Sequence, residues 1–237
     1  MTTQGQPGVD VVVLAGGRST RFGADKVAVL LDQVLAGLPP QAAVVCVGPT
    51  RPTSRAQVTW VREDPPLSGP LAAVAAGVAA GDRAIVVLAG GDMPRVGAAV
   101  AGLLAALEAA GDHGTDDAEP VDTAAHCESA VQGDSAAPGD SAAPGDSAAP
   151  VDGAVLVDRD GRVQLLASAW HRNRLVARLA GIVTDVPAAP APGGPHAAAG
   201  SGLGGAPLRL LGRGARLVEV ADLWDAGRDV DTPQDLL

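Results

Sequence analysis

Three cations and three glycines crowd into one short stretch of this chain, Leu14 to Lys26, reading LAGGRSTRFGADK. Gly16, Gly17 and Gly23 permit tight turns and let backbone N–H groups come close to an anion. Arg18, Arg21 and Lys26 supply the charge that a polyphosphate would neutralise. Lys26 is the sole lysine, beside sixteen arginines. The spacing is neither a Walker loop, which ends in GK[ST], nor the dinucleotide GxGxxG. A plain strand-to-helix glycine turn with solvated arginines would use the same residue types. Two further places carry carboxylates in telling positions. Asp92, in Gly-Asp-Met-Pro, follows an apolar run, where it suits either a hard metal ion or the start of a helix at Pro94. Asp229 and Asp231 sit two apart just before Thr232-Pro233, as metal ligands or as caps of a helix beginning there.

The elements that must hold these groups alternate. Val11–Leu14 reads as a buried parallel strand. Val27, Leu30, Leu31, Val34, Leu35 and Leu38 follow at helical spacing and stop at Pro39-Pro40. Strands are expected at 44–47, 58–61 and 85–88, and helices around Leu71–Val78 and Val96–Leu107. A hairpin over 154–166 turns at Asp160-Gly161, a helix covers roughly 169–180, and a last strand lies at 217–220. This alternation predicts an α/β fold, a doubly wound, mostly parallel sheet in three layers, with ligands at the carboxyl ends of strands. Trp60, Trp170 and Trp224 are expected as core or edge anchors in a chain with no Tyr and one Phe. Arg172, Arg174 and Arg178 are candidates for an acceptor's phosphate, and His171 for a surface position.

The chain has 237 residues and a formal net charge of −10, and the acid is localised. Residues 111–152 hold ten carboxylates and no Lys or Arg, leaving the remainder balanced at 17 acids and 17 bases. That segment contains GDSAAP three times over (133–150), and Pro every sixth residue forbids a continuous helix. A second stretch, 187–207, has Ala, Gly or Pro at 18 of 21 positions and reads as a linker. The expectation is one domain over 1–237 interrupted by a disordered acidic insertion and this linker. The acidic balance argues against nucleic-acid and membrane partners. Two cysteines, Cys46 and Cys127, and no apolar run of spanning length point to the cytoplasm.

LAGGRSTRFGADK resembles the LAGGxSxRMGxDK signature of the molybdenum cofactor guanylyltransferases and related nucleotidyltransferases (MobA-like NTP transferases). Arg62-Glu63-Asp64 with Gly69-Pro70-Leu71, then Gly91-Asp92-Met93-Pro94, then DVDTPQDL at 229–236 resemble further family segments in the same order. The resemblance implies a Rossmann-like nucleotidyltransferase fold and Mg²⁺-dependent transfer of GMP from GTP to molybdenum–molybdopterin, with release of pyrophosphate. It implies that Leu14, Ala15, Gly16 and Gly17 bind the nucleotide, the first three contacting guanine through the backbone. Lys26 would hold phosphates, Asp64 the nucleoside, and Asp92 the metal, with Asp231 as a second ligand. Arg21, Lys26 and Asp92 form the implied catalytic set. Small-molecule substrates and contact with molybdoenzyme assembly proteins follow as partners. The sequence departs from the family in a shortened segment after Lys26, in GPLAA for GPLAG, and in Asp229 and Asp231 for Asn. A CTP-using or other NTP transferase with a different phosphorylated acceptor, and a nucleotide-binding protein without catalysis, stand as alternatives.

Overall fold

The computed structural model describes residues 8–16, 26–112, 150–185, 202–228 and 230. Strands β1 (Val9–Leu14), β2 (Ala43–Val47), β3 (Val58–Val61) and β4 (Ile85–Gly90) form the parallel half of a seven-stranded sheet. Strands β5 (Gly153–Val157), β6 (Val163–His171) and β7 (Leu217–Ala221) complete it in the order β3-β2-β1-β4-β6-β5-β7. Only β6 among them runs antiparallel to its neighbours, β4 and β5. Val11, Val12 and Val13 have no exposed surface, because β1 lies between β2 and β4 with helices over both faces. That double burial is why the strand reads as a continuous apolar run rather than an alternating one.

Helices α1 (Lys26–Gly37) and α3 (Gly97–Asp112) cover one face of the sheet. Their Leu31, Val34 and Leu35, and Val100, Leu103 and Leu107, are the apolar positions picked out by the 3.6-residue period. Helices α2 (Pro70–Ala79) and α4 (Arg172–Asp185) cover the other face, with a 3₁₀ turn at Leu208–Leu211. Placing α1 on one face and α2 on the other makes β1 and β4 the topological switch point, where the parallel sheet opens a crevice at its carboxyl edge.

Three expectations change. The strand β6 runs on to His171, so Ala169 and Trp170 belong to the sheet rather than to a helix. Small residues there carry little periodic signal, and pairing of Val86 with Trp170 and Val87 with Ala169 decides the matter. Residues 202–207 are not a loose linker end. Leu203 and Ala206 are buried in the second apolar cluster, and Gly205 donates its N–H to Ser68 O at 2.7 Å. Burial of Leu203 contributes about 2 kcal/mol to holding this segment, alongside the buried Ala206 and the Gly205–Ser68 hydrogen bond. Asp152 is likewise part of the fold. Its N–H donates to Arg216 O at 2.8 Å, and its carboxylate accepts from Arg216 N at 3.0 Å. The rest of the acidic insertion, from 113 to 149, and residues 186–201 lie outside the described residues. The Asp160-Gly161 turn is as expected, with Gly161 at φ 78° and Asp158 accepting from the N–H groups of Asp160 and Arg162.

The amino-terminal edge of the sheet is fastened by a buried ion pair. Asp10 is 1% exposed, accepts the Arg83 N–H at 2.9 Å, and is hydrogen-bonded by the Arg172 guanidinium. Arg172 also donates to the carbonyls of Val78 and Arg83, and so ties β1, α2 and β4 together. Arg178 donates to Leu211 O at 2.8 Å and to Arg213 O, and stands 3.8 Å from Asp152. Both arginines are therefore occupied by the fold, and Arg172 sits at the sheet edge opposite the crevice. Removing one partner of such a pair leaves a buried charge. Asp10→Ala is expected to lower unfolding free energy by about 3 kcal/mol in urea titrations, and Asp10→Ala/Arg172→Met to recover part of it. Cys46 in β2 is wholly buried, and burial pushes its thiol from 9.0 up to about 12. The folded state thus favours the neutral thiol while the unfolded chain ionises earlier. Stability is expected to be unaffected by this group below pH 9 and to fall as pH rises from 9.0 towards about 12. A Cys46→Ala variant, followed by circular dichroism, should lack that component of the decline.

Candidate active site

The carboxyl ends of four strands are joined by backbone hydrogen bonds that continue past the strands themselves. Gly48 N–H donates to Val61 O at 2.9 Å, Ala15 N–H to Val47 O at 2.9 Å, and Gly91 N–H to Leu14 O at 3.0 Å. This ledge forms the floor of the crevice. Gly48 is needed where it stands, since its φ is 148° and a Cβ would come within 2.8 Å of the Ala15 carbonyl and the Gly16 nitrogen. Above the floor is a cavity of about 580 Å³, bounded by Leu14, Gly16, Glu63, Gly69, Asp92 and Leu166 among others.

The principal charge pair lies at the side of this crevice. Lys26, the first residue of α1, is 7% exposed, and its Nζ stands 2.9 Å from Asp92 Oδ2. Asp92 follows β4 directly and keeps 30% of its side chain exposed. It does not cap α3, which begins five residues later at Gly97. The backbone carbonyl of Asp92 accepts the Val230 N–H at 3.1 Å, which brings the terminal segment onto β4. The structure thus brings together Leu14, Lys26, Gly91-Asp92 and Val230, which are far apart in sequence. Arg21, Gly17 and Asp231 lie outside the described residues.

Not every candidate meets the crevice in the same way. The Ala15 N–H is occupied by Val47 O, and the Ala15 carbonyl accepts from Arg51 Nη1 at 2.8 Å. Ala15 is wholly buried and is not part of the cavity wall, whereas Leu14 and Gly16 line the cavity and Gly16 is exposed. Asp64 is exposed, precedes a cis peptide to Pro65, and is not part of the cavity wall. Its neighbour Glu63 is, with Oε1 accepting the Leu67 N–H at 2.8 Å and so closing the 63–67 turn. Sequence reasoning passes over Arg51, whose only signal is its position a few residues after β2, and within Arg62-Glu63-Asp64 it assigns the role to Asp64 rather than to Glu63.

The donor set suits Mg²⁺. No group of three His, Cys, Asp or Glu side chains gathers among the described residues, so an all-protein cage is absent there. Mg²⁺ is commonly held by one or two carboxylates together with substrate phosphates, and the partly exposed Asp92 carboxylate is of the kind that could serve in that way. The N-terminus of α2, at Gly69-Pro70, opens on the same cavity and adds a favourable field for phosphate.

A sequence profile of the MobA-like NTP transferase domain matches residues 11–191. The chain belongs to this family. Members of the MobA-like NTP transferases are nucleotidyltransferases. No curated protein matches the sequence. Among solved structures, 2-C-methyl-D-erythritol 4-phosphate cytidylyltransferase from Thermus thermophilus is 17% identical, with a TM-score of 0.53 over 97% of this chain and 95% of that one. The bifunctional IspDF of Campylobacter jejuni is 11% identical, with a TM-score of 0.49 over 97% of this chain and 53% of that one. The first of these likenesses supports the nucleotidyltransferase fold of the MobA-like chain. No helix among the described residues is long and apolar enough to cross a membrane.

Removing either member of the central pair should separate binding from folding. Lys26→Met and Asp92→Asn are each expected to lower kcat/KM for pyrophosphate release by about 100-fold or more. Without nucleotide, Lys26→Met should move the thermal midpoint by only a few degrees, because Asp92 is partly exposed, whereas Asp92→Asn leaves a buried ammonium and should lower it further. Stopped assays and differential scanning fluorimetry measure the two.

Proposed function

We propose that the chain transfers GMP from GTP to a molybdenum–molybdopterin acceptor and releases pyrophosphate. The observation that carries this reading is the Lys26–Asp92 contact at 2.9 Å. It brings the end of the LAGGRSTRFGADK segment onto the carboxylate of Gly-Asp-Met-Pro, the two segments by which the chain most resembles the guanylyltransferases. The match to the MobA-like domain over 11–191 supports the same class.

The chemistry follows from the residues. A terminal phosphate oxygen of the acceptor attacks the α-phosphorus of GTP, and the α–β bridging oxygen leaves with pyrophosphate. Lys26 is buried against the cavity wall, so its ammonium acts in a low-dielectric setting on the charge that develops over the phosphates. Leu14 and Gly16, which line the cavity, offer the backbone groups against which guanine is read, and the buried Ala15 holds the ledge between them. Asp92 would hold Mg²⁺, which when bound supplies charge neutralisation on the phosphate oxygens. Asp231 is proposed as a second carboxylate for that ion, through Val230, its chain neighbour, which is bonded to Asp92. No covalent intermediate on the protein is needed.

That same terminal segment favours one second reading. Asp229 and Asp231 stand where the guanylyltransferases have Asn, and a pair of carboxylates there accords with cytidylyl transfer. Pyrophosphate release with molybdopterin, Mg²⁺ and each of GTP, CTP, ATP and UTP decides between them. GTP is expected to exceed the others in kcat/KM by about tenfold or more. A preference for CTP would establish the second reading. Saturable binding of nucleotide without turnover of any would make the chain a binding protein.

A further inference from the structure

The loop after β7 presents a large aromatic side chain to solvent. Trp224 is 69% exposed and Leu223 70%, whereas Trp170 is completely buried and Trp60 half-buried. Exposure does not come from looseness. The carboxylate of the buried Asp222 accepts the N–H groups of Trp224 at 3.1 Å, Ala226 at 2.8 Å and Gly227 at 2.8 Å. Asp225 holds a positive φ of 51° and pairs with Arg159 at 3.6 Å. An indole held out by a buried carboxylate is a built feature, and its apolar area in water is costly unless something covers it.

What stands beside it narrows the choice. Trp224 is one wall of a cavity of about 460 Å³ whose other walls are Gly37, Pro94, Arg95, Gly97 and Ala98. Gly97 lets the start of α3 come against the end of α1, since a Cβ there would overlap the Gly37 carbonyl. An exposed aromatic wall and one guanidinium suit a planar, electron-rich heterocycle. The cavity is also tied to the reaction centre from two directions. Arg95 is three residues after Asp92, hence within about 11 Å between Cα atoms. The loop that carries Trp224 runs on to Val230, whose N–H bonds to the Asp92 carbonyl at 3.1 Å.

We propose that Trp224, with Arg95, forms the subsite for the planar ring system of the acceptor, whose terminal phosphate stands at Lys26 and Asp92. This rests on the proposed function and adds to it where the acceptor lies. Trp224 is a binding residue that stacks on the ring, Arg95 contributes charge at its edge, and Asp222 positions the loop.

Isothermal titration of the full chain with purified molybdopterin, and separately with GTP, tests it. Aromatic stacking on a heterocycle is worth about tenfold in affinity by alanine substitution. Trp224→Ala is expected to raise the molybdopterin Kd about tenfold, with the GTP Kd unchanged within twofold, and Trp224→Phe to restore most of the loss. A structural role alone would shift both ligands or neither, and the Phe variant would not discriminate. Parental molybdopterin affinity in Trp224→Ala overturns the inference and leaves the proposed function intact. If the parent does not bind molybdopterin at all, the acceptor assignment and this inference both fall. Concentration-dependent self-association that Trp224→Ala abolishes, with molybdopterin binding untouched, would instead make the patch a contact between copies of the chain.

Discussion

Backbone hydrogen bonding does not end where the parallel strands end, and the active-site region depends on that. Three bonds carry the ladder from β3 through β2 and β1 to β4, at Gly48, Ala15 and Gly91. They turn four separate strand ends into one ledge. Lys26 rises from one side of it on α1, Asp92 from the other after β4, and neither would meet without it. The cost is borne by sequence. Glycine is required at Gly48, whose φ of 148° and close approach to Ala15 leave no room for a side chain.

Buried charge is used at both edges of the sheet, in different ways. At the amino-terminal edge, Asp10 and Arg172 are paired and further satisfied by backbone groups, so the pair serves as a fastening. At the carboxyl edge, Lys26 is buried but Asp92 keeps an exposed face towards the cavity. A carboxylate in that condition is able to exchange or share its partner with a phosphate or a cation. Fully enclosed pairs are not. The two pairs differ in exposure, 1% for the Asp10 side chain against 30% for Asp92.

Much of this was legible in the residues. Parallel strands buried on both faces read as apolar runs, and α1 to α3 show their buried stripes in Leu and Val spacing. The strand at Trp170 was not legible, because Ala-Ser-Ala carries almost no period and only pairing with β4 assigns it. Leu203 and Ala206 were hidden for a related reason. Composition marks glycine- and alanine-rich chain as linker, yet Leu203, Ala206 and the Gly205–Ser68 hydrogen bond hold part of it on the core. Trp224 went the other way. A scarce tryptophan is expected inside, and the hydrogen bonds of Asp222 hold it outside.

The sequence by itself determined the chemistry on offer: one lysine and two arginines among glycines, an aspartate after a buried strand, and an order of segments shared with a family. These are local properties, set by side-chain type and by short-range backbone preference. Which groups meet was decided by tertiary structure alone. Lys26 and Asp92 are 66 positions apart, Asp92 and Val230 further still, and only the parallel register of β1 against β4 sets them side by side. The same holds for Asp64 and Glu63, adjacent in sequence, of which only Glu63 lines the cavity. Proximity across a sheet depends on which strands pair, and no spacing along the chain encodes it.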